Sequence, residues 1–344
     1  MRKITFLVLV GAAVAAAAGA VAVSMNRGVT APTAHAGELF LPELQRRANE
    51  VREVVLVRNN GTATLKQEGD RWVLVEKANH PANGEQVRRV IVELAELRLV
   101  EGKTSKPDLY SRLQVEDPTA KDARSTLMTL KDGSGKPIAE VVVGRRRIDR
   151  LGGGRDSLYV RRKGEAQAWL AAGNVDIAGE FQRFLVRSLM DIKAERIAEV
   201  TTIQPDGTRL VIRRDKPEDK MAVVDLPEGK TVKEEDKVTK AAAALAGLDI
   251  DDAKKRGEAN IPDDSVKAEV RTFDGLVVKV ATHETDYRAW SRFTVETTAE
   301  ASDAVKKEAE ALKARVEPWD FEMLGYKTAP LTTKLADLTG EKSS

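Results

Sequence analysis

The chain has 344 residues, 42% hydrophobic and 32% charged, enough for two ordinary domains with a real core built mainly from Val, Leu, Ile and Ala. Its 56 basic and 54 acidic residues nearly cancel to +2, without the basic excess of a nucleic-acid binder. It has no cysteine, which excludes disulfides, thiolate catalysis and cysteine-ligated metals.

Met1-Arg2-Lys3 is a short basic segment ahead of an uncharged apolar run, Ile4 to Val23. As a helix these 20 residues span about 30 Å, enough to cross a bilayer. Arg2 and Lys3 before the run, against Arg27 alone just after it, favour a cytoplasmic N-terminus and a body on the extracytoplasmic, periplasmic side. Residues 1–25 are therefore expected to be a transmembrane anchor in the cell membrane. The alternative is a signal peptide with secretion to the periplasm. Ala34-His35-Ala36 fits the cleavage pattern but lies well beyond the apolar run, which favours the anchor. Residues 26–48, small and polar, read as a spacer.

A first α+β module is expected over residues 49–165. Val54 to Val57 reads as a strand, Asn60-Gly61 as a two-residue type I′ hairpin turn, Thr62 to Lys66 as the returning strand and Trp72 to Val75 as a third. Pro81 and Asn83-Gly84 precede a helix whose Val87, Val90, Ile91, Leu94 and Leu97 form one apolar stripe. Ser125 to Gly144 and Ser157 to Val160 add a hairpin and a further strand. Residues 166–196, with Phe181, Phe184, Leu185 and Leu189 on one face, read as a helical connector.

A second module over residues 197–298 repeats this logic. Asp206-Gly207 follows Asn60-Gly61 by 146 residues, Met221 to Val224 takes the place of the Trp72 strand, and Val238, Ala241, Ala242, Leu245 and Leu248 repeat the stripe at an offset of 151. Thr231 and Glu234 have the spacing of a capping box. Val266 to Ala281 and Ser291 to Val295 match the later strands of the first module. Residues 299–344 read as a C-terminal helix and a tail. The expected class is α+β, with two tandem modules, each a hairpin-rich antiparallel sheet with a packed amphipathic helix.

The run Gly69-Asp70-Arg71-Trp72-Val73-Leu74, the proline, the helix ending Leu94-Ala95-Glu96-Leu97, the segment Leu109 to Pro118 and the late Trp319-Asp320-Phe321 together resemble the family called domain of unknown function 4340. The likeness runs over residues 50 to 335. It implies a membrane-anchored extracytoplasmic protein, associated with ABC-type transport components of the gliding-motility kind, and it supplies no catalytic residues. The second module departs from the pattern, with Met221 in the tryptophan position and no counterpart of the Tyr-x-x-Leu segment before a proline.

No catalytic, cofactor or metal site is expected. His283, Glu284 and Asp286 have ligand chemistry but no second histidine at helical spacing, so a solvated loop is the plainer reading. Asp251-Asp252 and Asp263-Asp264 are adjacent pairs whose side chains diverge. Gly102-Lys103-Thr104 and Gly229-Lys230-Thr231 fail as phosphate loops, because Leu97 and Val224 stand where a glycine is needed. Trp72 reads as core.

The most suggestive stretch is Gly144 to Lys163, with eight basic residues against two acidic ones. Arg145, Arg146, Arg147, Arg150 and Arg155 are the candidate contacts for anionic lipid head groups, a polyanionic glycan or an acidic partner patch. A solvated hairpin is the bland alternative. The expected function is a non-enzymatic, membrane-anchored accessory or scaffold protein with a protein partner in an ABC-type transport or envelope complex. The alternative is an extracytoplasmic ligand-binding protein or hydrolase with a site between the modules. Oligomeric state is left open.

Overall fold

Apolar residues at Phe40, Leu41 and Leu44 draw the chain into the fold earlier than a spacer would allow, and all three are buried. Gly37 and Phe40 donate backbone bonds to Leu99 and Leu97, and helix α1 (Pro42–Arg47) follows. The computed structural model describes residues 35–147, 156–177 and 179–341. The expected membrane segment lies outside these, and among the described residues no helix is long and apolar enough to cross a membrane. The fold has two compact units: one takes the described residues of Met1–Thr64 and Arg88–Ala178, the other those of Leu65–Val87 and Gly179–Ser344.

The first half of the chain continues with β1 (Val51–Arg58), β2 (Gly61–Glu68), β3 (Arg71–Leu74), β4 (His80–Ala82), α2 (Gly84–Ala95), β5 (Arg98–Thr104) and α3 (Tyr110–Leu113). Then come β6 (Thr126–Asp132), β7 (Pro137–Arg147), β8 (Ser157–Arg162) and β9 (Ala168–Ala172). The strands form one sheet in the order β4-β3-β2-β1-β6-β7-β8-β9-β5. Asn83 caps α2, its Oδ1 accepting from the backbone of Glu85 and Gln86 at 3.1 Å each. The expected stripe is buried at all five positions, as is Trp72.

The second half runs through β10 (Ser188–Met190), β11 (Ile197–Ile203), β12 (Arg209–Arg213), β13 (Ala222–Val224), β14 (Lys230–Val232), α4 (Glu235–Ala241), β15 (Leu248–Asp249) and β16 (Asp252–Lys255). It ends with β17 (Val266–Thr272), β18 (Leu276–Thr285), β19 (Arg288–Thr297), α5 (Asp303–Val316), β20 (Trp319–Leu324), α6 (Gly325–Thr332), α7 (Leu335–Leu338) and β21 (Thr339–Glu341). Its sheet has the order β13-β12-β11-β17-β18-β19-β20-β16, which repeats β3-β2-β1-β6-β7-β8-β9-β5 position for position. The register breaks between Val51 and Glu53 in β1 and between Ile197 and Glu199 in β11, again 146 residues apart. An arginine just ahead of each break reaches the turn that follows the paired strand, β6 or β17: Arg47 bonds Asp132 at 3.2 Å and Arg196 bonds Asp274 at 3.1 Å. The core of this unit joins Val200, Val270, Val280, Phe293, Phe321 and the buried face of α5.

Several local expectations are corrected. Residues 166–196 are not a helical connector: Ala168–Ala172 is β9, paired with both β8 and β5, and a 3₁₀ turn over Phe181–Phe184 leads to β10. An open slot between two strands outweighs the helix propensity of an alanine-rich run. Neither Asn60 nor Asp206 has positive φ, so neither turn is type I′; only the glycines do, Gly61 at 147° and Gly207 at 84°. At the second turn Gln204 and Thr208 close a longer loop, with Asp206 accepting from the Thr208 amide at 2.8 Å. The capping box fails, because Thr231 lies in β14 and Glu234 is the residue before α4. The expected tail contributes a sheet strand, β20, because Phe321 and Met323 complete the core.

Candidate functional site

Alternate residues of β11, β17, β18 and β19 face the core, so the intervening ones form a continuous outer face. Backbone register sets them in rows across the strands. One row reads Arg209, Ile203, Lys267, Ala281, Arg292, Asp320 and Lys254. The next reads Val211, Thr201, Glu269, Lys279 and Thr294. Between them lies an open hollow of ≈ 450 Å³ whose lining includes Thr201, Ile203, Arg209, Lys267, Ala281 and Arg292.

Most charges here are spoken for. Arg292 grips Asp320 through two bonds of 2.7 and 2.9 Å, and Asp320, fully buried, also accepts from the Gly257 amide at 2.8 Å. Burial alone would raise the Asp320 carboxyl, but the Arg292 fork and the backbone donors outweigh it and hold the group below its usual range. Lys279 pairs with Glu296 at 2.6 Å, and Arg271 bonds Glu269 at 2.6 Å. Arg209 and Lys267 are different. Both are exposed, and neither side chain has an ion pair or hydrogen bond among the described residues. They flank Ile203, itself 40% exposed, from the strands on either side, two strand spacings or about 10 Å apart.

The equivalent row of the first sheet reads Val57, Leu127, Val142, Arg161 and Ala168. There the chain covers its own face. Tyr110, Leu113 and Val115, from the connector between β5 and β6, pack with Leu127, Val142 and Tyr159. Arg161 stacks on the Tyr110 ring at 4.6 Å and donates to the Val115 carbonyl at 3.0 Å. Gly144 permits the close approach, since a side chain there would collide with the carbonyls of Leu113 and Gln114. In the second unit the connector between β16 and β17 has 10 residues, against 21 between β5 and β6. His283 takes the register position of Gly144. The short connector folds against Asp320 and leaves the face open.

The arginines singled out in the sequence are placed in part. Arg145, Arg146 and Arg147 are the exposed end of β7; Arg150 and Arg155 lie outside the described residues. Arg146 pairs with Asp156 at 3.1 Å and Arg145 stands 5.8 Å from the Tyr159 ring. Arg162 is structural, donating twice to the Phe40 carbonyl at 3.0 and 2.7 Å. His283 and Glu284, being neighbours on a strand, point to opposite faces, and Glu284 accepts from Thr332 at 2.8 Å. Among the described residues no group of three His, Asp or Glu side chains is placed to hold a metal ion. The open face itself escaped the sequence reading. Its one signal was the missing Tyr-x-x-Leu segment in the second module.

Residues 72–267 match the family model described as domain of unknown function (DUF4340), 196 of the 344 residues. The chain belongs to this family. The DUF4340 match starts at Trp72 in β3 and ends at Lys267 in β17, so it takes in the covering segment of the first unit and the short connector of the second. No curated protein matches the chain.

Proposed function

We propose that this DUF4340 protein is a non-enzymatic scaffold, anchored in the cell membrane by residues 1–25 with its body outside the cytoplasm, serving an ABC-type transport or envelope complex. Its body is two tandem copies of one module. The common strand order, the shared register break and the repeated buried stripe support the duplication. The observation that carries the binding role is the difference between copies: one sheet face is closed by its own chain, and its equivalent is open, with an exposed isoleucine between two cations that are unpaired among the described residues. A partner protein docks on that open face. The hydrolase alternative draws nothing from His283 and Glu284, which lie on opposite sides of β18.

The test is a photo-crosslinking residue at Ile203, compared with one at Val92, which is 48% exposed on α2. The expected result is one envelope protein captured at Ile203 but not at Val92, with capture reduced about fivefold when Arg209 and Lys267 are both serine. Equal capture at the two positions refutes the docking role. For the topology, alkaline phosphatase fused after residue 45 is expected to be active, and an inactive fusion overturns the anchor.

A further inference from the structure

The occupant of the open face has a template within the chain. Over the first sheet, a short segment lies across the strands with Tyr110, Leu113 and Val115 against an apolar row. The second sheet keeps part of that row: Ile203 stands where Val57 does and Ala281 where Val142 does. Lys267 takes the position of Leu127, and Arg209 is added on the far side of Ile203. The face thus retains an apolar centre and carries two cations that have no partner among the described residues.

Resting on the docking reading, we propose that the partner supplies an extended acidic segment, which replaces in trans the segment that covers the first sheet in cis. Geometry sets its pattern. Arg209 and Lys267 are about 10 Å apart and carry long side chains that splay outward, so carboxylates at positions i and i+4 of an extended segment, on one face and about 13 Å apart, reach both. The apolar side chain at i+2, on the same face, falls on Ile203 between them. The two other cations of the hollow are held internally, Arg292 by Asp320 and Lys279 by Glu296, and keep the face in shape. A shallow hollow floored by a sheet suits a peptide lying across strands better than a small anion, which needs enclosure, or a membrane, which needs a protruding basic edge.

The test uses the full chain in mild detergent and fluorescein-labelled peptides, read by fluorescence anisotropy. A peptide centred on Asp-Ala-Leu-Ala-Asp is expected to bind, and the same peptide with both aspartates changed to asparagine to bind about tenfold more weakly. Arg209→Ser with Lys267→Ser is expected to weaken the acidic peptide by about five- to tenfold, whereas Lys216→Ser with Lys220→Ser, on an exposed turn, leaves it unchanged. Since Arg209 and Lys267 are exposed, the double variant keeps its melting temperature. An asparagine peptide that binds equally well, or a double variant that binds like the wild type, overturns the proposal. So does tripolyphosphate or a phosphatidylglycerol vesicle that binds through Arg209 and Lys267 while the peptide does not. If Ile203 still crosslinks to a partner but the peptide arms fail, the docking face stands and the acidic segment falls. If both fail, both readings fall.

Discussion

His80 makes the stability of the second unit depend on pH in a defined window. It opens β4, is 4% exposed, and meets the Trp319 ring edge-on at 4.9 Å and the Phe321 ring at 5.9 Å. Its Nδ1 lies 3.0 Å from the Pro81 carbonyl, and the nearby charges, Lys77 and Asp252, already pair with one another at 2.7 Å. Burial is the main cause that pushes the imidazole down to about 4; the Pro81 carbonyl and Asp252 offset only part of it. The unfolded chain, with an ordinary histidine near 6.5, therefore holds the extra proton between the two values, and stability falls as pH falls through that window. Linkage gives a loss of about 2 kcal/mol between pH 7 and pH 5, rising to about 3 kcal/mol by pH 4. The depressed carboxylates act lower: Asp132, held at about 2 chiefly by Ser134, withdraws its stabilisation only as the pH falls below the ordinary carboxylate range. Urea unfolding at pH 7 and pH 5, followed by tryptophan fluorescence, should show the wild type losing about 2 kcal/mol more than His80→Leu. Equal losses in the two proteins would show that His80 is not a buried neutral imidazole and would refute the reasoning.

Asp320→Ala removes the carboxylate that Arg292 and two backbone amides converge on. Breaking a buried pair from one side costs about 3–5 kcal/mol, and Arg292, with 26% of its side chain exposed, can partly rehydrate, which sets the expectation at about 3 kcal/mol in urea. A loss below about 1 kcal/mol would count against the pair as a structural tie. Gly144→Ala is expected to lower stability by about 1–3 kcal/mol and to speed proteolysis within residues 107–115, since the added methyl displaces the covering segment. Unchanged cleavage there would mean that the segment does not depend on the glycine. Replacing Arg145, Arg146 and Arg147 with serine is expected to weaken cosedimentation with anionic vesicles while stability stays within about 0.5 kcal/mol of the wild type. Unchanged cosedimentation returns the arginines to the role of solvated surface.

The helix α2 was legible because one face of a 3.6-residue period is buried by a single neighbouring surface, so Val87 to Leu97 declare themselves without further context. The strands of both units were legible for a related reason: alternation and glycine turns are local. β9 was not, because Ala168-Trp169-Leu170-Ala171-Ala172 becomes a strand only through the slot between β8 and β5. The same limit hid the open face. Arg209, Lys267 and Ile203 are scattered over three strands, and only register sets them side by side. The sequence did reveal that the second module lacks a Tyr-x-x-Leu segment. That this absence uncovers a particular row could be read only from the pairing of β17 with β11 and β18.

The divergence between the two sheets bears on what that row is for. A face that merely lost its cover would gain by becoming polar throughout, since each exposed apolar side chain forgoes burial at roughly 25 cal/mol per Å². Lys267, at the position of Leu127, follows that expectation. Ile203 and Ala281 do not: they remain apolar at the positions of Val57 and Val142, with Ile203 40% exposed. The cations beside Ile203 also have no partner among the described residues, although this unit pairs Lys279 and Arg292 in the same hollow, and Arg288 and Lys327 elsewhere, with carboxylates. An apolar centre flanked by uncommitted charge is the make-up of a protein interface, in which the centre supplies affinity and the rim supplies orientation. The first sheet has satisfied that requirement within its own chain. Under the docking proposal, the second sheet has it satisfied by a partner chain.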